Sequence, residues 1–303
     1  MSRLTFTLPT DMKTKIALFL LAAFLWLPTK ASAAPDPNFY IFLCFGQSNM
    51  EGAGRIEPQD KTVDDRFQVF ETVDAPNLRR EKAHWYTAVP PLCRGRTGIC
   101  PADYFGRTLV ANLPKNIRVG VINVSVAGCK IELFDKDNYQ GYAAKAPSWM
   151  TNIIKQYDGD PYQHLVEMAK LAQKDGVIKG ILLHQGESNT NDKQWPDKVK
   201  KIYGNLLKDL DLKADSVPLL AGEVVNADQQ GACASMNKII DELPKTIPTS
   251  YVISSAGCPC GRDHLHFTTA GYREFGTRYG QKMLSLLGYK ITATAPAPKL
   301  GSE

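Results

Sequence analysis

Phe39-Tyr40-Ile41-Phe42-Leu43-Cys44-Phe45-Gly46-Gln47-Ser48-Asn49-Met50 passes from an unbroken apolar run into a polar turn. Apolarity without alternation marks a strand covered on both faces, as in parallel sheets enclosed by helices. Comparable runs recur at Ile117 to Val124, Val177 to His184, Val217 to Val224 and Ser250 to Ser254. Between them, Tyr104 to Leu113, Pro161 to Lys174, Trp195 to Asp209 and Ser235 to Leu243 carry a helical period. A last helix is expected from Thr269 to Leu287, capped by Thr268 or Thr269 and stopped by Gly288. Strands alternating with helices predict an α/β fold on a parallel sheet.

The chain has 303 residues, 44% hydrophobic and 22% charged, a composition that supports a buried core rather than disorder. Its first 33 residues read as a secretory signal peptide. Lys13 and Lys15 precede the apolar run Ile16 to Leu27, and Ala31-Ser32-Ala33 offers a small-residue cleavage site. The run is too short to span a bilayer, and Met12 is an alternative start. Residues 34–289 then form one domain, and 290–303 a frayed tail. Without residues 1–33 the net charge falls from +5 to +2, because Arg3, Lys13, Lys15, Lys30 and Asp11 leave with them. No basic block points to nucleic acid or, beyond export, to a membrane. Export permits disulfides. Cys93 with Cys100, and Cys233 with Cys258 or Cys260, are the candidate pairs; seven cysteines leave at least one free, and Cys44 reads as a buried hydrophobe.

Residues 52–103 and 132–160 break the alternation. They are long, aromatic and rich in Gly, Pro and Asp, which suggests functional loops. Trp85, Tyr86 and Trp149 in them would suit stacking on sugar rings, or else pack the loops down.

Ser48 follows the first strand directly. In doubly wound sheets ligands bind beyond the carboxyl ends of the strands, so a serine there projects into a crevice. It needs a base, and the base an orienting acid. Both are offered by Gly261-Arg262-Asp263-His264-Leu265-His266-Phe267, where Asp263 and His266 are three apart. The order serine, acid, histidine is one that triads use. Gly128, after the second strand, can offer a backbone N–H to an oxyanion, and Gln185, after the third, a side-chain amide. Four separate segments thus converge on one sheet edge.

Together Gly46-Gln47-Ser48-Asn49-Met50, the Gly128 block, His184-Gln185-Gly186-Glu187 and Asp263-x-x-His266 resemble the conserved blocks of the SGNH-hydrolase superfamily. Within it they are similar to the sialate O-acetylesterase-like domain, which includes the carbohydrate esterase family 6 acetylxylan esterases. The resemblance runs from about Phe39 to Leu287. It implies a flavodoxin-like three-layer α/β/α fold, removal of O-acetyl groups from an acetylated oligo- or polysaccharide, and no metal or organic cofactor. It also implies Ser48 as nucleophile and His266 as base, with Ser48 N–H, Gly128 N–H and the Gln185 amide as oxyanion hole. Asn49, Trp85 and Trp149 are the expected substrate contacts. For the acid, Asp263 fits the superfamily pattern, while Glu187 holds that place in some family 6 members. Acetylated xylan and sialic acid both remain open as substrates, as does a non-catalytic carbohydrate-binding protein on the same scaffold.

Three competing readings are weaker. Ser188 lacks the second glycine of a nucleophile elbow. Cys258, Cys260, His264 and His266 do not match a familiar zinc spacing. Asn123-Val124-Ser125 matches a glycosylation acceptor but ends an apolar strand.

Overall fold

The apolar runs become the centre of one sheet. In the computed structural model, which describes Ser2 and residues 34–292, β1 (Phe39–Gly46) lies between β4 (Arg118–Ser125) and β5 (Val177–His184). The other strands are β2 (Phe67–Phe70), β3 (Trp85–Thr87), β6 (Leu219–Gly222) and β7 (Ser250–Ile253), in the order β3-β2-β4-β1-β5-β6-β7. All pairings are parallel except β2 with β3. Residues 35–292 belong to one compact unit. The signal segment read at 1–33 and the tail beyond 292 lie outside the described residues.

Side chains of β1 alternate between two cores. Ile41, Leu43 and Phe45 enter one, with Leu165, Val166, Val199 and Ile202. Phe42 and Cys44 enter the other, with Phe105, Leu109, Phe275 and Met283. The sheet is therefore the middle of three layers. The principal helices are α1 (Ser48–Glu51), α2 (Pro101–Asn112), α3 (Ser148–Gln156), α4 (Pro161–Ala172), α5 (Trp195–Asp209) and α6 (Thr269–Leu286). α4 and α5 cover one face, and α2 and α6 the other. The helices begin where the sequence signals it. Asp160 accepts from Gln163 N–H at 3.0 Å, ahead of Pro161. Thr268 accepts from Gly271 N–H at 3.2 Å. No described helix is long and apolar enough to cross a membrane.

Some expectations change. The segment 52–103 is not all loop, since it supplies β2 and β3, and 132–160 contains α3. The helix expected at Ser235 to Leu243 is broken into single turns. All seven cysteines are free thiols, and the sulfurs of the expected pairs are held by other neighbours. Cys93 Sγ lies 3.3 Å from Tyr157 OH, and Cys100 Sγ accepts from Asn123 Nδ2 at 3.8 Å. Cys233 Sγ points to Glu187 O at 3.7 Å and Cys260 Sγ to Gln229 O at 3.4 Å, while Cys258 is buried in the α6 core. Asn123, the acceptor of the glycosylation match, is fully buried.

Candidate active site

The register of the sheet sets the ends of three strands side by side. Gly46 pairs with Ser125 on β4 and with His184 on β5. A side chain at Gly46 would meet His184 O at 2.0 Å, and its φ is +152°, so only glycine allows β1 to turn there. Gln47 N–H still reaches His184 O at 3.1 Å, after which the chain folds into α1 and presents Ser48 half-buried at the edge. The residues following β4, β5 and β7 arrive at the same edge.

His266 Nε2 lies 2.8 Å from Ser48 Oγ, and its Nδ1 lies 2.7 Å from Asp263 Oδ2. Asp263 Oδ1 accepts from Leu265 N–H at 3.0 Å and from His266 N–H at 3.1 Å. Partial burial pushes this carboxyl up. Hydrogen bonds from His266 and from the two backbone N–H groups outweigh that and hold it at about 2. An ionised carboxylate can only accept, so Nδ1 carries the proton of a neutral ring and Nε2 faces the serine with a lone pair. A hydroxyl within reach of an oriented imidazole is the geometry that general-base activation requires.

Glu187 stands elsewhere. Its Oε1 accepts from Asn49 Nδ2 at 2.6 Å and lies 3.8 Å from His184 Nδ1. No hydrogen bond joins it to His266 among the described residues, so Asp263 is the carboxylate behind the imidazole. Asn49, expected to touch substrate, is fully buried and acts as a clamp. Its amide also donates to Leu265 O at 3.0 Å, and its oxygen accepts from Tyr272 OH at 2.5 Å and Phe267 N–H at 3.4 Å. It therefore grips both neighbours of His266.

Gly128 adopts φ +65°. Neither its N–H nor that of Ser48 is hydrogen-bonded among the described residues. A side chain on Gly128 would sit 2.7 Å from the ring of Trp149, which is 50% exposed and lies in the first turn of α3. Trp149 is thus an aromatic platform beside the glycine. Trp85 is not at the site. It packs on Phe39 and Phe70, and its indole N–H donates to Asp175 at 2.9 Å, at the opposite end of the sheet. Gln185 reaches the edge, but its amide is consumed there by Asn189 Oδ1 at 2.7 Å, Gln47 Oε1 at 3.1 Å and Cys129 O at 3.3 Å. Ser188 Oγ donates to Gly128 O at 2.9 Å and has no histidine partner among the described residues. His264 turns away from the site, its Nδ1 3.3 Å from Gln229 O.

A cavity of about 590 Å³ opens beside the site, with Glu51, Gly52, Asp74, Asn77, Arg96 and Gln156 in its wall. Ser48 and His266 do not line it. It connects to their edge through Glu51, whose carboxylate accepts from Ala127 N–H at 3.0 Å, next to Gly128.

Comparison with known proteins identifies a family. The family model described as carbohydrate esterase, sialic acid-specific acetylesterase matches residues 38–285. A probable carbohydrate esterase of Arabidopsis thaliana is 24% identical over 271 residues, which is 83% of this chain and 93% of that protein. The X-ray structure of an Arabidopsis protein matches with a TM-score of 0.63 at 20% identity, over 82% of this chain and 99% of its own. The structure of NanS matches with a TM-score of 0.59 at 14% identity, over 84% and 99%. A carbohydrate acetylesterase from Xanthomonas citri gives 0.57 at 17% identity, over 81% of this chain and 56% of its own.

Proposed function

The chain belongs to the carbohydrate esterase, sialic acid-specific acetylesterase family, and on that premise we propose that it removes O-acetyl groups from glycans through Ser48, His266 and Asp263. As a member it is a carboxylic ester hydrolase. The observation that carries the residue assignment is the 2.8 Å approach of His266 Nε2 to Ser48 Oγ, with Asp263 held 2.7 Å behind the ring.

His266 takes the Ser48 proton as Oγ attacks the acetyl carbonyl, and the oxyanion forms against the N–H groups of Ser48 and Gly128. The imidazolium, stabilised by Asp263, then protonates the departing sugar oxygen. Water, deprotonated by the same Nε2, cleaves the acetyl-serine and releases acetate. Trp149 offers a face for the sugar ring. The 590 Å³ cavity gives a longer glycan somewhere to run, with carboxylates, amides and a guanidinium suited to hydroxyl groups. Lys13, Lys15, the apolar run to Leu27 and Ala31-Ser32-Ala33 support export of the enzyme to the compartment where such glycans lie.

Acetate release from an aryl acetate by Ser48→Ala tests the reaction: the variant should be inactive, and retained activity refutes the assignment. A panel of acetylated xylan, acetylated sialic acid and acetylated glucose separates the substrates.

A further inference from the structure

The two backbone N–H groups assigned to the oxyanion come from separate segments, Ser48 in α1 and Gly128 after β4. Gly128 is the third residue of a turn over Val126 to Cys129, closed by Cys129 N–H on Val126 O at 3.2 Å. Its φ of +65° is the positive value that type II turns place at that position. The foot of the turn is fixed to β1, since Val126 N–H donates to Gly46 O at 3.1 Å. The tip, residues 127 and 128, is held by two side chains among the described residues. Ser188 Oγ donates to Gly128 O at 2.9 Å, from the β5 side. Ala127 N–H donates to Glu51 Oε1 at 3.0 Å, and Glu51 belongs to the helix of Ser48 itself.

Glu51 lies one helical turn after Ser48, where Gly52 N–H closes on Ser48 O at 2.9 Å. Its backbone is therefore fixed relative to Ser48 N–H, and its carboxylate reaches the residue before Gly128. An anion in this role has a drawback. A negative charge there opposes the negative charge that develops on the acyl oxygen. Arg94 offsets it. The same Oε1 accepts from Arg94 Nη2, and the side chains of Arg94 and Glu51 are 10% and 12% exposed. Arg94 Nη1 is sealed in the interior with no hydrogen-bond partner among the described residues, so Glu51 is the carboxylate that balances this guanidinium. Arg94 is itself braced. Its Cζ lies 5.7 Å from the ring centroid of Tyr157, and its N–H donates to Thr97 Oγ1 at 3.4 Å. Both members of the pair stand in the wall of the cavity beside the site.

We propose that Glu51 is a positioning residue of the oxyanion hole, tying the Gly128 turn to the helix that carries Ser48, and that Arg94 is the counter-ion which keeps this anionic tie from opposing the oxyanion. This rests on Ser48 being the nucleophile. Both residues act through the place and the field of Gly128 N–H. A misplacement of about 1 Å at a reacting centre can cost about 10²-fold in rate, so a tie at the tip of the turn is worth far more to kcat than to folding.

Three substitutions test the tie and its charge. Glu51→Ala leaves Ala127 N–H to water and frees the tip. With an aryl acetate, its kcat and kcat/KM should fall together by about 10–10²-fold, short of the 10²–10³-fold lost with a whole oxyanion donor, and KM should change little. A boronic acid that forms a tetrahedral adduct on the serine should bind weaker by a similar factor. Glu51→Gln keeps an oxygen for Ala127 N–H in a neutral hydrogen bond and should recover most of that loss. Arg94→Met leaves the Glu51 charge unbalanced and should lower kcat about tenfold, and adding Glu51→Gln to it should restore kcat. Circular dichroism and Tm show that each rate belongs to folded protein. Should Glu51→Ala fail to fold, Ala127→Pro removes the donor at a turn position that favours proline, leaves the Glu51–Arg94 pair in place, and should show the same kcat loss. A kcat within about threefold of the parent in Glu51→Ala, or equal kcat losses in Glu51→Ala and Glu51→Gln, overturns the tie. A kcat loss in Arg94→Met that Glu51→Gln does not restore overturns the counter-ion. Ser48→Ala is assayed alongside: activity there removes the underlying reading, whereas an inactive Ser48→Ala beside a fully active Glu51→Ala removes only the role of Glu51.

Discussion

Asp263→Asn probes the link between acid and base. The carbonyl oxygen of the introduced amide would still accept from Leu265 N–H and His266 N–H, which lie 3.0 and 3.1 Å from Asp263 Oδ1, so the turn should persist. Towards His266 the variant would present an NH₂ in place of the oxygen now 2.7 Å from Nδ1. A donor there favours the ring tautomer with a lone pair at Nδ1 and a proton at Nε2, facing Ser48 Oγ. The base is lost although no group has moved. In a buried serine triad this change costs about 10⁴ in kcat. Asp263 is about half exposed at its side chain, so water screens its charge and offers the ring other partners. A loss of roughly 10²–10⁴ in kcat, with little change in KM, is expected. The carboxyl is held at about 2, so it is ionised throughout the assay range. Glu187→Gln is the comparison. It retains an acceptor for Asn49 and does not touch the imidazole, so it should cost about tenfold or less, through the clamp on Leu265 and Phe267. Initial rates of acetate release from an aryl acetate across pH 4–9 measure both. A Glu187→Gln variant more damaged than Asp263→Asn would refute this assignment of the acid.

Two further outcomes follow from the site and the core. Trp149→Ala should raise KM for an acetylated oligosaccharide about fivefold, the worth of roughly 1 kcal/mol of aromatic contact. It should leave turnover of a small aryl acetate nearly unchanged, and equal losses on both substrates would count against the platform. Asp103 is fully buried, and burial raises its carboxyl to about 7 despite the N–H of Cys100, which its Oδ2 accepts at 2.9 Å. A raised carboxyl adds stability below its unfolded value, and that stability is lost as pH rises through about 7. Stability should therefore fall between about pH 4 and 7, by at most ~4 kcal/mol from this group. Asp103→Asn should flatten that slope in urea titrations, and an unchanged slope would show that the group does not titrate with folding.

Much of the frame was legible because its signals are local. The long strands are apolar on both faces, so β1, β4 and β5 read directly, and Asp263 with His266 needs only one turn. What was missed depends on partners distant in sequence. β2 is four residues, Phe67–Phe70, and β3 three, Trp85–Thr87, too short for a period to show. Trp85 therefore reads as a loop aromatic, whereas it is a half-buried residue of an edge strand packed against the core. Cysteine spacing suggested pairs, yet the sulfurs of Cys93 and Cys100 are held by Tyr157 and Asn123. Asn49 looked like a substrate contact from its place beside Ser48, but its partners lie more than a hundred residues away. Gln185 reads as an oxyanion donor from its place after β5, but its amide is spent on Asn189, Gln47 and Cys129, partners that no spacing rule reaches.

Every step proposed at this site depends on Ser48 as the nucleophile. Labelling the folded protein with a fluorophosphonate and mapping the adduct by peptide mass spectrometry tests it most directly. One label is expected, on Ser48, abolished by Ser48→Ala and strongly slowed by His266→Ala. A label on Ser188, or none on a protein that still releases acetate, would contradict it.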